Sequence, residues 1–436
     1  MTTTINNEHK ELNFSSEREQ SQACLNSAEH EKNQGRKVLN VPNIRFPEFE
    51  GEWEEERLAD IADLYKGTGI SKDQLSDDGE PCILYGELYT KYKSETIREV
   101  ISKTNIDNTK LVRSKANDVI IPCSGETAED IATARCVLNG NILLGGDLNI
   151  IRLHGYDGAF MSYQLNGRRK YDIAKVAQGV SVVHLYGEHL KGVKTINPCL
   201  EEQKKIASLL ALLDERIATQ NKIIDKLQSL IKGLNDSLYA QYGGKVLTSF
   251  TELGTSYSGL SGKSAQDFGS GKPFITYLNV YSNNVINENE FQYVAIKDDE
   301  KQNIAEYGDV LFTLSSETPR EVGIGSVYLG KEKVYLNSFC FGIHITNMEV
   351  AFPPYLSYYV SSTAFRKFIY PYAQGSTRFN LCKADFEKAS IKLPTLENQK
   401  RIYSILSHID NKIITERQML DLYNSQKQYL LRQMFI

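Results

Sequence analysis

Two short segments approach known nucleotide or methyl-transfer motifs, and each lacks a required residue. Gly262-Lys263-Ser264 ends like a phosphate-binding loop, but the pattern GxxxxGK[ST] requires a glycine at the position of Tyr257. Phe352-Pro353-Pro354-Tyr355 is similar to the Asn/Asp-Pro-Pro-Tyr motif of adenine N6-methyltransferases. That chemistry needs a polar first residue to bind the amino group of a flipped base, and phenylalanine cannot do this. We therefore interpret Pro353-Pro354 as the start of a helix.

The other reactive residue types are scattered along the chain. The seven histidines show no metal-ligand spacing, and even His184 and His189, five residues apart, favour separate polar roles over a zinc site. The seven cysteines are odd in number and contain no CxxC pair, which argues against disulfide or zinc scaffolds and favours a reducing cytoplasm. No Gly-x-Ser-x-Gly elbow is present. The sequence predicts a chain that is not an enzyme and holds no metal or cofactor.

Two equivalent loops carry side chains suited to recognition. They run from Gln178 to His184 and from Gln374 to Asn380, and both open with Gln-Gly. Glycine permits close backbone approach, and Gln, Ser, Thr, Arg and Asn can donate to phosphates or base edges. The Gln-Gly pairs could instead serve a shared structural turn, and each candidate alone could be an ordinary surface residue. The candidate DNA-contacting residues are Lys66, Thr68, Lys72, Arg113, Lys115, Arg168, Arg169, Gln178, Ser181, His184, Tyr257, Lys263, Tyr277, Asn279, Arg320, Arg366, Gln374, Ser376, Thr377, Arg378 and Asn380.

The charge distribution is compatible with such contacts. The formal net charge of −5 argues mildly against a generic nucleic-acid binder. However, the acidic residues are concentrated in residues 48–63, where Arg57 is the only basic residue. Basic clusters lie within residues 103–115, 168–170 and 366–367. A local basic face is sufficient, because phosphate contacts are made face by face. No run approaches the roughly 20 apolar residues of a membrane span.

The helices that would position these loops occur twice in the sequence. Apolar residues spaced alternately by four and three predict two helices of roughly 40 residues, about 60 Å each, whose seams match at an offset of 196 residues. The seam residues are Ile206, Leu210, Leu213, Ile217, Gln220, Ile224 and Leu227 in the first helix and Ile402, Leu406, Ile409, Ile413, Glu416, Leu420 and Tyr423 in the second. We predict an antiparallel coiled coil within the chain; dimerisation is the alternative. Gln220 and Glu416 share one layer, where they could fix the register or merely face water.

The repeat predicts an α+β fold with two similar mixed α/β domains. The expected ranges are a polar, mobile extension (1–40), domain 1 (41–198), the central helix (199–242), domain 2 (243–394) and the C-terminal helix (395–436). Strands are predicted at 81–85, 118–122, 149–153, 272–277 and 309–313, and helices at 57–64, 160–176 and 354–368. Trp53 is predicted to be a packing anchor. The domains should share a fold while differing in surface.

From about Val41 to Ile436 the chain resembles the specificity (S) subunit of type I restriction-modification systems. The residues that carry the resemblance are Val41-Pro42-Asn43-Ile44-Arg45-Phe46-Pro47-Glu48-Phe49 with Trp53, Ala373-Gln374-Gly375-Ser376-Thr377-Arg378, Glu201-Glu202-Gln203-Lys204-Lys205-Ile206 and Glu397-Asn398-Gln399-Lys400-Arg401-Ile402. The chain departs from the pattern in its long polar start, and in having Val180, Val182 and Val183 where the second loop has Ser376, Arg378 and Phe379.

The resemblance implies two target recognition domains, each reading half of a split double-stranded DNA site, with the helices setting the spacer. It implies docking of two methyltransferase subunits and of restriction subunits that translocate and cut. S-adenosylmethionine, ATP and Mg would then bind only to those partners. Two alternatives stay open: the specificity chain of a type IIB-like system, and a coiled-coil scaffold that binds only protein. The target bases are not predictable from the sequence.

Overall fold

The computed structural model describes residues 40–107, 109–179 and 182–436, which form two compact units. The first unit comprises the described residues up to Asp214 together with Ser425–Ile436, and the second comprises Glu215–Asn424. Each unit therefore contains one mixed α/β domain and one segment of each long helix. The boundaries between the units fall within the long helices and differ from the predicted domain boundaries. Apart from Asn40, the predicted polar extension lies outside the described residues.

In the first unit the domain is built mainly from short strands. The strands are β1 (Glu54–Arg57), β2 (Ala62–Lys66), β3 (Leu75–Ser76), β4 (Glu80–Ile83), β5 (Thr96–Ile97), β6 (Ser102–Thr104), β7 (Asp118–Pro122), β8 (Ser124–Gly125), β9 (Arg135–Val137), β10 (Leu143–Leu144), β11 (Leu148–Leu153), β12 (Val183–His184) and β13 (Lys194–Asn197). The helices are α1 (Leu58–Ile61), α2 (Glu87–Thr90), α3 (Ala128–Ile131), α4 (Gly158–Asn166), α5 (Lys170–Val176), α6 (Gly187–Lys191) and the long α7 (Leu200–Tyr242).

The strands form sheets in the orders β2-β11-β7-β9-β5, β10-β4-β6-β3, β1-β13 and β12-β8. The apolar run Val119-Ile120-Ile121 of β7 is fully buried between two hydrophobic clusters that share the largest sheet. Burial of each such side chain stabilises the fold by about 1.5–3 kcal/mol, so this sheet forms the centre of the domain.

The second unit repeats this plan. Its strands are β14 (Val246–Thr248), β15 (Gly254–Ser258), β16 (Phe268–Ile275), β17 (Gln292–Val294), β18 (Val310–Thr313), β19 (Ser315–Ser316), β20 (Gly325–Val327), β21 (Tyr335–Leu336), β22 (Cys340–Ile345), β23 (Ala373–Gln374), β24 (Phe379–Leu381) and β25 (Ile391–Leu393). Its helices are α8 (Phe250–Leu253), α9 (Tyr277–Ser282), α10 (Pro353–Tyr359), α11 (Thr363–Ile369), α12 (Lys383–Lys388) and α13 (Leu396–Gln433). The sheet orders are β15-β22-β18-β20, β17-β16-β21, β14-β25 and β19-β24-β23. The order β15-β22-β18 matches β2-β11-β7, which confirms the duplicated fold.

Three predicted helices were too long. The helix predicted at 57–64 stops at Ile61, because β2 starts at Ala62 and pairs with β11. The helix predicted at 160–176 is two helices separated at Gly167, a poor helix former. The helix predicted at 354–368 is also two, since the Ser362 side chain caps a new helix by accepting a hydrogen bond from the Phe365 amide.

The long helices α7 and α13 pack antiparallel within each unit, as predicted. In the first unit Ile206 and Leu210 share a cluster with Met434. In the second unit Leu238 shares a cluster with Ile402 and Leu406. The N-terminal part of each helix thus packs against the C-terminal part of the other. Every predicted seam residue is buried or half-buried.

Hydrogen bonds join the two polar residues of the seam. Gln220 is buried, and its Nε2 donates to the main-chain oxygen of Glu416 at 3.0 Å and to the Glu416 carboxylate. The alternative that both residues face water is therefore wrong. A hydrogen-bonded polar pair at a seam position favours one register of the two helices.

Each long helix is fastened to its own domain by a buried glutamine that recurs at the same offset. Gln203 Nε2 donates to the Pro198 oxygen at 2.8 Å, and its Oε1 accepts from the Asp157 amide at 2.9 Å. Gln399 makes the equivalent bonds to the Pro394 oxygen and the Phe352 amide. Both amides are thereby satisfied in the interior, which explains why the motif at each helix start contains glutamine.

Candidate nucleic-acid interface

The clearest candidate surface in the second unit is the hairpin of β23 and β24. Gln374 pairs with Asn380, and Ser315 of β19 pairs with Asn380 from the other side. Gly375 has φ of 138°, and a Cβ there would lie 2.1 Å from the Arg378 oxygen. Only glycine fits this turn. Between the strands the turn presents the exposed residues Ser376, Thr377 and Arg378.

The first unit has the same turn. The main chains of Gln178 and His184 exchange hydrogen bonds of 2.9 and 2.7 Å, and β12 pairs with β8. Gly179 has φ of 124°, and its Cβ would lie 2.1 Å from the Val182 oxygen. The glycines therefore do serve a shared structural turn, while the side chains beyond them are left to vary. Ser181 lies outside the described residues.

The two hairpin tips differ in chemistry. In the second unit the Arg378 guanidinium lies 6.0 Å from the ring centre of Phe339, which is 57% exposed. In the first unit Val182 is 52% exposed, and the rings of His184 and Tyr186 stack with centres 6.2 Å apart. The second tip thus offers a cation and hydroxyl donors, whereas the described residues of the first tip offer a methyl-bearing side chain and exposed aromatic rings.

A tyrosine pair supports the hairpin of the second unit; its candidate Tyr277 is half-buried and engaged within the domain, and the sequence analysis missed that the pair repeats. Tyr277 OH donates to the Ser315 oxygen at 2.7 Å, and Tyr281 OH donates to Glu321 at 2.8 Å. Burial raises the pKa of Tyr277, and the hydrogen bond to Glu321 raises that of Tyr281. Tyr85 and Tyr89 stand at the equivalent positions of the first unit. The YxxxY spacing at an offset of 192 residues was the available signal.

One first-unit candidate, Lys66, lies near the hairpin. Lys66 is exposed, and its Nζ lies 4.0 Å from Asp147, which accepts from Ser124 of β8 at 3.3 Å. Lys72 and Lys115 are also exposed. Burial raises the pKa of the neighbouring Cys123 thiol to about 11, so that cysteine stays protonated. Lys66 is therefore placed beside the strand that supports the tip.

Other first-unit candidates are occupied within the domain. Thr68 Oγ1 accepts from the Val112 amide at 2.9 Å. Arg113 pairs with Glu80 at 2.6 Å and donates to the Asn141 oxygen. These side chains hold the connection between β6 and β7.

Three second-unit candidates are corrected by burial. Tyr257 is 8% exposed and donates to Asp309 at 2.7 Å, and burial raises its pKa. Asn279 is fully buried and donates to the Asn287 oxygen. The Lys263 side chain is 7% exposed and pairs with Glu300 at 2.5 Å, which lowers the pKa of that carboxyl to about 2. These side chains cannot contact DNA in this conformation.

Three arginine candidates bind main-chain oxygens. Arg366 donates to the oxygens of Gly323, Arg320 and Val322, and burial lowers its pKa. Arg168 donates to the Arg432 and Phe435 oxygens at the end of α13. Arg169 donates to the Ile436 oxygen. Cations favour the C-terminal end of a helix, so the last two arginines secure α13. The Arg320 side chain itself is exposed.

Within the described ranges, no group of three or more His, Cys, Asp or Glu side chains is arranged to hold a metal ion. Nor is any helix in that part of the chain long and apolar enough to cross a membrane. Two hairpins with equivalent glycines and different side chains, on a duplicated α/β fold, are typical of a recognition protein.

Comparison with known proteins identifies the family. The family model described as "Type I restriction modification DNA specificity domain" matches residues 50–229 and 259–422. The chain belongs to this family, and its role there is non-catalytic sequence specificity. The resemblance inferred from the sequence is confirmed.

The relatives agree with this assignment. The chain is 26% identical over 438 residues to the putative type I restriction enzyme MjaX specificity subunit of Methanocaldococcus jannaschii, covering 87% of this chain and 92% of that protein. It is 27% identical over 199 residues to the MjaVIII specificity subunit of the same organism, covering 45% of this chain and 44% of that protein. The crystal structure of the S subunit from M. genitalium matches 91% of this chain and 99% of that one, with a TM-score of 0.56 and 16% identity.

Proposed function

We propose that each α/β domain reads one half of a bipartite target in double-stranded DNA. The observation that carries this proposal is the pair of hairpins, in which glycine fixes the turn and the tip side chains differ. Phosphate contacts from exposed lysines such as Lys66 would set the register on the duplex, and tip residues such as Arg378 would read base edges. We assign the recognition domains to residues 41–198 and 243–394.

We further propose that α7 and α13 set the spacer and dock two methyltransferase subunits. Apolar side chains remain exposed on both helices, and two of them, Ile223 and Met419, are at equivalent positions of the repeat with exposures of 37% and 40%. Exposed apolar groups at repeated positions suit two copies of one partner. S-adenosylmethionine would bind to those subunits, and ATP and Mg to restriction subunits, in the cytoplasm where the DNA lies.

The test is to map adenine methylation in a methylation-free host that expresses this chain with its methyltransferase. Wild type should give a split motif. Arg378→Ala should relax one half only, because a lost bidentate contact costs about 1–3 kcal/mol of discrimination. Arg57→Ala, at an exposed arginine of β1 away from the hairpins and the long helices, is the matched control and should leave the motif unchanged. Absence of any motif from a complex that still assembles would favour the protein scaffold.

A further inference from the structure

The tip of the second hairpin carries an arginine whose donors are not used within the domain. Arg378 is exposed, and its guanidinium makes no hydrogen bond or ion pair with any residue that the structure describes. Arg168, Arg169 and Arg366, in contrast, donate to main-chain oxygens. An arginine side chain has several N–H donors and no acceptor. Arg378 therefore presents an unused set of donors at the hairpin tip.

An aromatic ring lies beside this guanidinium. The Phe339 side chain is 57% exposed, and its ring centre lies 6.0 Å from the guanidinium carbon of Arg378. The main chain that carries the ring is fixed, because the Phe339 amide donates to Asn337 Oδ1 at 2.9 Å and its oxygen accepts from the Leu314 amide at 2.9 Å. A guanidinium that stacks on a ring keeps its N–H edge free for a planar acceptor pair.

The ring and the hairpin belong to one hydrogen-bonded frame. Leu314, whose amide binds the Phe339 oxygen, accepts at its own oxygen from the Leu381 amide of β24 at 2.8 Å. The next residue, Ser315, pairs with Asn380 of the same strand. The backbone therefore holds the ring beside the hairpin that carries the arginine.

The first unit builds the same frame with other side chains. The Cys123 amide donates to the Asp147 oxygen at 2.7 Å, so Asp147 stands at the position of Phe339. Val182 stands at the position of Arg378, since the main-chain oxygen of each residue faces the turn glycine of its hairpin. The cation and the ring are thus not required by the fold. They are specific to the second unit.

The shape of the hairpin and the donors of the arginine together select one base. The major groove of B-DNA admits a two-stranded β-ribbon. In that groove guanine presents two acceptors, N7 and O6, whereas adenine presents an acceptor and a donor, cytosine a donor, and thymine an acceptor beside its methyl group. A side chain that has only donors can therefore pair twice with guanine and with no other base.

We propose that Arg378 reads a guanine in the half-site of the second domain, and that Phe339 is a positioning residue for Arg378. The inference rests on the proposed function, which supplies the DNA. The ring restricts the guanidinium before DNA is bound, so less side-chain freedom is lost when the contact forms. Phe339 acts through Arg378 and does not itself touch the base.

Methylation mapping in a methylation-free host tests the base. Arg378→Ala should relax a single guanine position and lower the preference for guanine there by about 5–150-fold, as expected for a lost bidentate contact. Arg378→Lys keeps the charge without the planar fork and should recover only part of that preference. Slower methylation of an unchanged motif by Arg378→Ala would mean that the arginine binds a phosphate, and would overturn the assignment.

Phe339→Leu tests the positioning role. It should weaken the same guanine preference by about 2–5-fold, the usual value of an exposed cation–π contact, whereas Phe339→Tyr keeps the ring and should keep the preference. Tyr307→Leu is the matched control, because it removes a ring of similar exposure, 56%, before β18. Arg378→Ala with Phe339→Leu should match Arg378→Ala alone. A further loss would show that the ring contacts DNA itself, and would refute the positioning role.

Modified duplexes test the atom that is read. Binding of the purified complex with its methyltransferase would be compared on duplexes of the mapped motif that carry guanine or 7-deazaguanine at the relaxed position. Since 7-deazaguanine lacks the N7 acceptor, the wild-type complex should bind it about tenfold more weakly, as expected for a lost charge-assisted hydrogen bond. The Arg378→Ala complex should not distinguish the two duplexes. Equal binding of both duplexes by the wild type would refute the contact.

The outcomes separate this inference from the proposed function. A split motif that Arg378→Ala leaves intact refutes the reading of guanine alone. Absence of any motif from an assembled complex refutes DNA specificity, and it refutes the reading of guanine with it.

Discussion

Replacing Lys427 with methionine should destabilise the first unit severely. Lys427 comes from α13, its side chain is 14% exposed, and its Nζ lies 2.6 Å from both Glu95 and Asp214. Tyr163 OH also donates to Asp214, at 2.7 Å. Burial lowers the pKa of Lys427, but attraction to the two carboxylates outweighs it and the pKa is raised. Methionine would leave two buried carboxylates without this counter-charge.

The expected loss is about 3–5 kcal/mol, the usual cost of removing one partner from a buried ion pair. With a urea m-value of about 2–3 kcal/mol/M, the unfolding midpoint of the first unit should fall by roughly 1–2 M. Trp53 is the only tryptophan, and it is buried beside Phe160 in the first unit, so its fluorescence reports this unit alone. Its burial also agrees with its predicted role as a packing anchor.

Two controls define the result. Lys427→Arg retains the charge and should retain most of the stability. Lys427→Met with Glu95→Gln removes one of the two carboxylates that have lost their partner and should recover part of the lost stability. An unchanged Trp53 midpoint in Lys427→Met would refute the reasoning, because it would mean that the ion pair adds nothing that methionine packing cannot replace.

Three further outcomes are expected. Burial raises the pKa of Asp410, so the folded second unit gains stability as the pH falls from 7 towards the ordinary aspartate pKa. Asp410→Asn should abolish that gain and should stabilise α10 at pH 7, which hydrogen exchange would measure. Gly375→Ala should relax one half of the methylated motif, whereas Gly269→Ala, with φ of 113° and nothing within 4 Å of its Cβ, should not. Gln220→Leu with Glu416→Leu should raise the urea midpoint while allowing methylation at more than one spacer length.

The repeated elements were predictable because their signals are local or periodic. The seam repeats every three or four residues, and the strand predicted at 118–122 coincides with β7 because an unbroken apolar run needs no distant information. Gly167 and Ser362 carried local signals that divide the two overlong helices, but the predicted helices ran through both.

The wrong predictions of DNA-contacting residues have a different cause. Tyr257 is buried by its contact with Asp309, 52 residues further along the chain. Lys263 is likewise neutralised by Glu300, at a separation of 37 residues. Arg168 finds its partners at the far end of the chain. A polar residue type indicates what a side chain can bind, but only the tertiary pairing decides whether that capacity is already used.

The seam position of Lys427 also explains why α7 pairs with α13 and not with a second α7. The tyrosine-aspartate contact of the first unit recurs in the second as Tyr358 with Asp410, but the residue of α7 equivalent to Lys427 is Ile231, which packs against the apolar core. Two copies of the first repeat paired with each other would place isoleucine against Glu95 and Asp214. Each such site would bury two carboxylates without the lysine that pairs with both, at about 3–5 kcal/mol. A single buried lysine therefore distinguishes the two halves, and it selects α13 as the partner of α7.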